Sequence, residues 1–144
     1  MKRKLLTMLL AAASLMLAGI PALAADKTPE QLIGEARAAI RQVSVDEVKH
    51  MIDTRENIVI LDVRDQNELA DGRISGAINI SRGMLEFMAG SMLPDKNAKI
   101  VVYCSLDMRG PMATRTLNQL GYHHAVNMTG ALKAWQAADY PLVK

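Results

Sequence analysis

One cysteine, Cys104, is all that the 144 residues provide, so no disulfide can form within the chain. Exported domains of this size are often cross-linked. A lone thiol therefore has three roles open to it: buried and inert, bridged between chains, or reactive. Aromatic residues are also scarce, at 3%. With few aromatics and no basic run, the chain offers no footprint for a phosphate backbone, which excludes nucleic acid as a partner class. Internal repeats and low-complexity stretches are absent, so neither a solenoid nor a linker-rich architecture is expected.

Long apolar runs are missing too, with one exception. Residues from Leu5 to Ile20 carry no charge, follow Lys2, Arg3 and Lys4, and are broken by Gly19 and Pro21 before Ala22-Leu23-Ala24. A basic start, an apolar core and an A-x-A end describe a bacterial secretory signal. The run is only slightly shorter than the ~17–25 residues of a spanning helix, so a membrane anchor is the alternative. The small residues at 22 and 24 have no task in an anchor. Cleavage after Ala24 places the mature protein in the periplasm, or otherwise outside the cytoplasm, without stable membrane association. No cysteine lies near that point, so lipid attachment is not expected.

Residues 25–144 number 120, one domain's worth of chain. Loss of Lys2, Arg3 and Lys4 from 17 basic residues leaves 14 against 15 acidic ones, a mature charge near −1.

Local signals divide this stretch into helices and short apolar runs. Thr28, Pro29 and Gln31 supply an N-cap, a first-turn proline and the far side of a capping box. Leu32, Ile33, Ala36, Ala39 and Ile40 follow at helical spacing, predicting a helix over 29–42. Ser44 and Glu47 repeat the capping signature and open a shorter helix through Ile52. Ile58-Val59-Ile60-Leu61 is an unbroken run suited to a strand covered on both faces. Ala77–Ile80, Lys99–Tyr103 and Ala125–Met128 are further strands. Helices are expected over Arg109–Leu120, with Gly121 as the residue past its C-cap, and over Gly130–Ala138. This alternation predicts an α/β domain with a mostly parallel sheet.

In such sheets, ligands bind beyond the carboxyl ends of the strands. Asp62 to Arg64, Ser81 and Arg82, Cys104 onward, and Thr129 and Gly130 leave those ends. Cys104 therefore falls where a strand hands over to a helix, in the loop Cys104-Ser105-Leu106-Asp107-Met108-Arg109. Backbone N–H groups of such a loop and the positive end of the next helix stabilise a thiolate or persulfide anion. That favours a reactive cysteine over an inert one.

Several motifs now resemble those of rhodanese domains. Ile60-Leu61-Asp62-Val63-Arg64-Asp65, Glu68-Leu69, Gly72-Arg73-Ile74 and Gly76-Ala77-Ile78-Asn79-Ile80 are similar to the first signature, commonly LIDVRE, E-[YF], GHIPGAINIP. Val101-Val102-Tyr103-Cys104 through Arg109, Leu117, Leu120-Gly121-Tyr122, and Gly130 through Trp135 are similar to VVYCxxGxRS, LxxxGY and GGxxxW. The likeness runs from about residue 43 to 141, and the domain it implies is taken as residues 43–144. It leaves a helical extension over 25–42 ahead of it and the signal over 1–24.

The resemblance implies a single rhodanese-like domain with five mostly parallel strands flanked by helices. It also implies a sulfurtransferase. Cys104 would take sulfane sulfur from polysulfide, persulfide or thiosulfate and pass it to a thiol or cyanide acceptor. Ser105, Leu106, Asp107, Met108 and Arg109 would form an amide cradle, with no metal and no organic cofactor. Oligomeric state is left open.

The departures carry their own expectations. Asp107 stands where the family has its loop glycine, Gly110 where it has serine, Arg73 for histidine, Ser75 for proline and Thr129 for glycine. A carboxylate at 107 near the donor's path would repel dianionic thiosulfate and favour polysulfide. Arg64 and Arg82 are candidate donor-binding groups. Arg64 has an alternative partner in Glu68, as Arg82 has in Glu86. His123 and His124 read as exposed turn residues, and His50 has no metal partner at ligand spacing. Met84, Met88, Met92, Met108 and Met112 could surround Cu(I) or fill a core. A cysteine phosphatase needs arginine six positions after cysteine, where Gly110 stands. A non-catalytic sulfur carrier or binding module remains the main rival to an enzyme.

Overall fold

A computed structural model describes residues 26–144, and the signal expected over 1–24 lies outside the described residues. Five parallel strands form one sheet in the order β1-β5-β4-β2-β3. Strand β1 is Arg41–Val43, β2 Ile58–Asp62, β3 Ile78–Asn79, β4 Lys99–Tyr103 and β5 Ala125–Met128. The helices are α1 Pro29–Ala38, α2 Val45–Asp53, α3 Leu85–Met92, α4 Arg109–Gln119 and α5 Ala131–Ala137. Short 3-10 turns occupy Gln66–Asp71 and Arg82–Met84.

Both capping boxes form as the sequence predicts. Gln31 N–H donates to Thr28 Oγ1 at 3.3 Å, and Thr28 N–H donates to Gln31 Oε1 at 2.9 Å. Ser44 and Glu47 repeat this at 3.2 and 2.7 Å. Helix α4 ends in a Schellman arrangement. Tyr122 N–H reaches Leu117 O at 2.9 Å, and Gly121 N–H reaches Asn118 O at 3.1 Å, with Gly121 at φ +95°. The left-handed geometry is why glycine stands there.

The helix predicted over 29–42 stops at Ala38, and Arg41–Val43 is the fifth strand. It pairs Arg41 with Val126 and Val43 with Met128 at the edge of the sheet. Arg41 and Gln42 are exposed and Val43 is half-buried, so no apolar run marks the strand. The boundary drawn at 42/43 therefore falls inside β1.

The sheet is covered on both sides, and the twofold alternation of strands sorts residues between two cores. Leu61, Val63, Ile100, Val102, Cys104, Leu117 and Tyr122 share one core with Leu85, Ala89 and Leu93 around α3. Ile60, Val101, Tyr103, Val126, Met128 and Trp135 share the other with Val48 and Met51 of α2. Helix α1 packs against α4, with Ala36 fully buried. Among the described residues no helix is long and apolar enough to cross a membrane. Because every strand is parallel, all five carboxyl ends open on one edge, and Cys104 leaves the central strand there.

Candidate active site

Cys104 follows β4 directly and is 1% exposed. Alternation through Ile100 and Val102 directs it to the α3/α4 face. Its Sγ accepts the N–H of Gly110 at 3.4 Å, inside the first turn of α4. The carbonyls of Cys104 and Ser105 accept Leu132 N–H at 2.9 Å and Lys133 N–H at 3.1 Å, both from the first turn of α5. Two consecutive carbonyls are thereby tied down. The amides of Ser105, Leu106, Asp107, Met108 and Arg109 donate to no protein group among the described residues. A loop with engaged carbonyls and free amides is suited to an anion. Leu106 and Met108 stand exposed on the loop's outer side.

Arg109 closes the loop from below. Its Nη1 and Nη2 donate to Glu68 Oε2 and Oε1 at 2.6 and 2.7 Å, and Nη2 also reaches Ser105 Oγ at 3.1 Å. Ser105 Oγ donates to Glu68 Oε1 at 2.7 Å, and Asp65 Oδ2 lies 3.5 Å from Arg109 Nη1. These contacts, with the Arg109 fork first among them, hold the Glu68 carboxyl down at about 2, against an ordinary value of 4.5.

A depressed folded-state value contributes stability above the unfolded value and loses it as the carboxyl is protonated. The Glu68 contribution is thus complete above about pH 4.5 and fades as pH falls toward 2. We expect Glu68→Gln to unfold at lower urea than wild type at neutral pH. The gap should close on acidification through that window. Urea curves at neutral pH and near pH 3 check this, and a gap constant across the series would contradict it.

Arg64, expected to bind a donor or to pair with Glu68, borders a recess with Ser105 and Leu106 and does not pair with the Glu68 carboxylate. It is 2% exposed, and its Nη2 lies 2.7 Å from Oδ2 of fully buried Asp62. Its other N–H groups reach Asp62 Oδ1 and the carbonyls of Glu68 and Gly72. Asp62 pairs in register with Tyr103, so this cluster lies on the α2/α5 face, opposite Cys104. Arg82 does meet Glu86, at 3.0 Å to both oxygens, and donates to Thr116 Oγ1 at 3.0 Å.

Asp107 has partners that the sequence did not point to. It adopts φ +61°, the conformation glycine would take without strain. Its carboxylate does not face an incoming donor bare. Oδ1 accepts Asn127 Nδ2 at 2.8 Å, Oδ2 lies 3.4 Å from Arg37 Nη2, and its backbone O accepts that same nitrogen at 2.6 Å. The carboxylate is paired with a cation, and that cation is one the sequence did not nominate.

Asn127 is fully buried on the Cys104 face of β5, and its Oδ1 has no partner among the described residues. A Cβ at Gly110 would sit 2.4 Å from that oxygen, so the missing side chain at 110 is what admits Asn127. Two departures from the motif, at 107 and 110, are thus joined through one asparagine. A polar residue inside an otherwise apolar strand was the available signal for Asn127. Arg37 gave none, because it precedes every motif.

Met84 and Met88 border a recess with Asp65, Gln66, Asn79 and Ser81, whereas Met92 lines a 640 Å³ cavity at the opposite end of the sheet. His50, His123 and His124 are exposed.

The rhodanese-like domain profile matches residues 44–138. YrkF of Bacillus subtilis, provisionally named a sulfur carrier protein, is 29% identical over 101 residues, covering 70% of this chain. The chain spans about half of YrkF's length, 54%. Further curated relatives, 23–31% identical, are named sulfurtransferases or thiosulfate sulfurtransferases. A protein of unknown function from Rhodopseudomonas palustris, described as a possible tyrosine phosphatase, superposes with a TM-score of 0.76 at 25% identity. That superposition covers 87% of this chain and 100% of the other. A polysulfide-sulfur transferase homodimer from Wolinella succinogenes superposes at 0.67 with 25% identity, covering 78% of this chain and 84% of that one.

Proposed function

The chain belongs to the rhodanese-like domain family, and from that premise we propose that it is a sulfurtransferase carrying sulfane sulfur on Cys104. The observation behind this reading is the Cys104 Sγ accepting Gly110 N–H at 3.4 Å, at the root of a loop whose next five amides are free. Relatives named for sulfur transfer support the general activity.

In the first step the Cys104 thiolate attacks the outer sulfur of the donor. A new S–S bond forms, the donor's own S–S bond breaks, and its electron pair leaves with the remnant. That remnant is sulfite from thiosulfate, a shortened polysulfide, or a thiolate from a persulfide. In the second step a thiolate or cyanide attacks the outer sulfur, and Cys104 departs as thiolate with the electron pair. Neither step consumes an oxidant or reductant, and neither calls for a metal or an organic cofactor. Covalent catalysis of this kind needs a stabilised nucleophile rather than a separate base.

The amides from Ser105 to Arg109 hold the terminal sulfur anion of the persulfide. Leu106 and Met108 offer apolar, polarisable contact to a sulfur chain. A phosphatase reading has less support, since position 110 is glycine and the Arg109 fork is committed to Glu68.

Mass spectrometry of protein incubated with thiosulfate, polysulfide or a low-molecular-weight persulfide tests the reading. One added sulfur atom on Cys104 is expected, followed by steady-state thiocyanate release with cyanide. Transfer limited to a single turnover would make the protein a carrier, and no adduct with any donor would overturn the proposal.

Residues 1–24 act, in this reading, as an export signal. N-terminal sequencing of the protein from periplasmic extract should begin at Ala25. A sequence still containing Lys2 to Lys4 would favour the anchor.

A further inference from the structure

Helix α1 lies outside the segment that matches the family, yet one of its side chains touches the loop that follows Cys104. Arg37 Nη2 donates to the backbone O of Asp107 at 2.6 Å and lies 3.4 Å from its carboxylate. Asn127 secures the other carboxylate oxygen at 2.8 Å. Asp107 sits three residues past Cys104 at φ +61°, and its side chain is 12% exposed. Two side chains, Arg37 and Asn127, thus hold one residue in a conformation that L side chains seldom adopt.

We infer that Arg37 is a positioning residue for the sulfur-carrying loop, and that it acts through Asp107. This rests on the reading of Cys104 as the sulfur carrier. Arg37 has two effects that separate experimentally. It fixes the loop by holding the Asp107 carbonyl, and it cancels a carboxylate that would otherwise repel an anionic donor. The α1 extension is therefore part of the site rather than an appendage to the domain. The specificity that follows is for anionic sulfur donors, thiosulfate included, despite an acidic residue at the loop's glycine position.

Because Cys104 is the only cysteine, its alkylation reports on the loop without any sulfur chemistry. The probes are iodoacetate, which is anionic, and iodoacetamide, which is neutral and nearly the same size. Arg37→Ala should lower the ratio of iodoacetate to iodoacetamide rates by about tenfold at low salt, with the effect shrinking as salt rises. Arg37→Lys should restore most of the ratio. Asp107→Gly should raise the ratio above wild type, and adding it to Arg37→Ala should bring the lowered ratio back to about the wild-type value. Thiosulfate kcat/KM should follow the same order.

A double variant whose ratio stays as low as that of Arg37→Ala alone would overturn the inference. So would an equal slowing of both reagents with a lowered Tm, which marks a purely structural role. If wild-type protein forms no persulfide with any donor while the alkylation ratios behave as stated, the function proposal fails and the Arg37–Asp107 latch stands.

Discussion

Cys104→Ser should eliminate sulfur-adduct formation and bring sulfur transfer to background, a loss of about a thousandfold or more. An alkoxide is far harder to form than a thiolate, and the chain holds no second cysteine to substitute. Serine also fits where it must. The position is 1% exposed and packed among apolar residues, and Gly110 N–H would donate to the new oxygen. A buried hydroxyl with one donor beside it costs about 1–2 kcal/mol of stability, small against a domain's total. The variant should therefore keep its circular-dichroism spectrum and a cooperative urea transition. Adduct mass spectra and thiocyanate release measure the chemical loss. Transfer above a few per cent of wild type would place the chemistry elsewhere in the chain.

Arg64→Met is expected to be the most destabilising single change, at about 3–5 kcal/mol. Methionine leaves the Asp62 carboxylate fully buried with no cation beside it, and it strips hydrogen bonds from the carbonyls of Glu68 and Gly72. The companion variant Asp62→Asn/Arg64→Met should recover part of the loss, because no buried charge then lacks a counterion. Urea unfolding of the single and double variants checks both statements. A donor-binding arginine would behave otherwise. Its removal would raise KM for anionic donors at unchanged stability, and that outcome would assign Arg64 to donor binding.

Arg64 also shows which spacing rule the sequence called for. Glu68, four residues on, is a helical neighbour, but residues 58–64 leave a strand. Period-two alternation places Arg64 beside Asp62 on one face, a pairing that two residues of separation make legible. Its sign of failure is specific: a helix rule applied to extended backbone.

Strand β1 escaped for a different reason. Three residues at a sheet edge, two of them exposed, bury too little to leave an apolar signature. Their pairing is decided by the free edge of β5, 85 residues later at the Arg41–Val126 pair.

What the sequence determined by itself was whatever depends on neighbours a few residues apart. Both capping boxes close over three residues, the Gly121 turn over five, and Ile58–Leu61 announces its buried strand as an unbroken apolar run. The strand and helix signals likewise placed Cys104 where a strand hands over to a helix. Tertiary structure decided which charges meet. Glu68 finds Arg109 across 41 residues, and Asp107 finds Asn127 across 20 and Arg37 across 70. No periodicity encodes such pairs. A charge's partner is set by which loops the fold brings to one edge of the sheet, and each buried carboxylate must then be met by whichever donor arrives there.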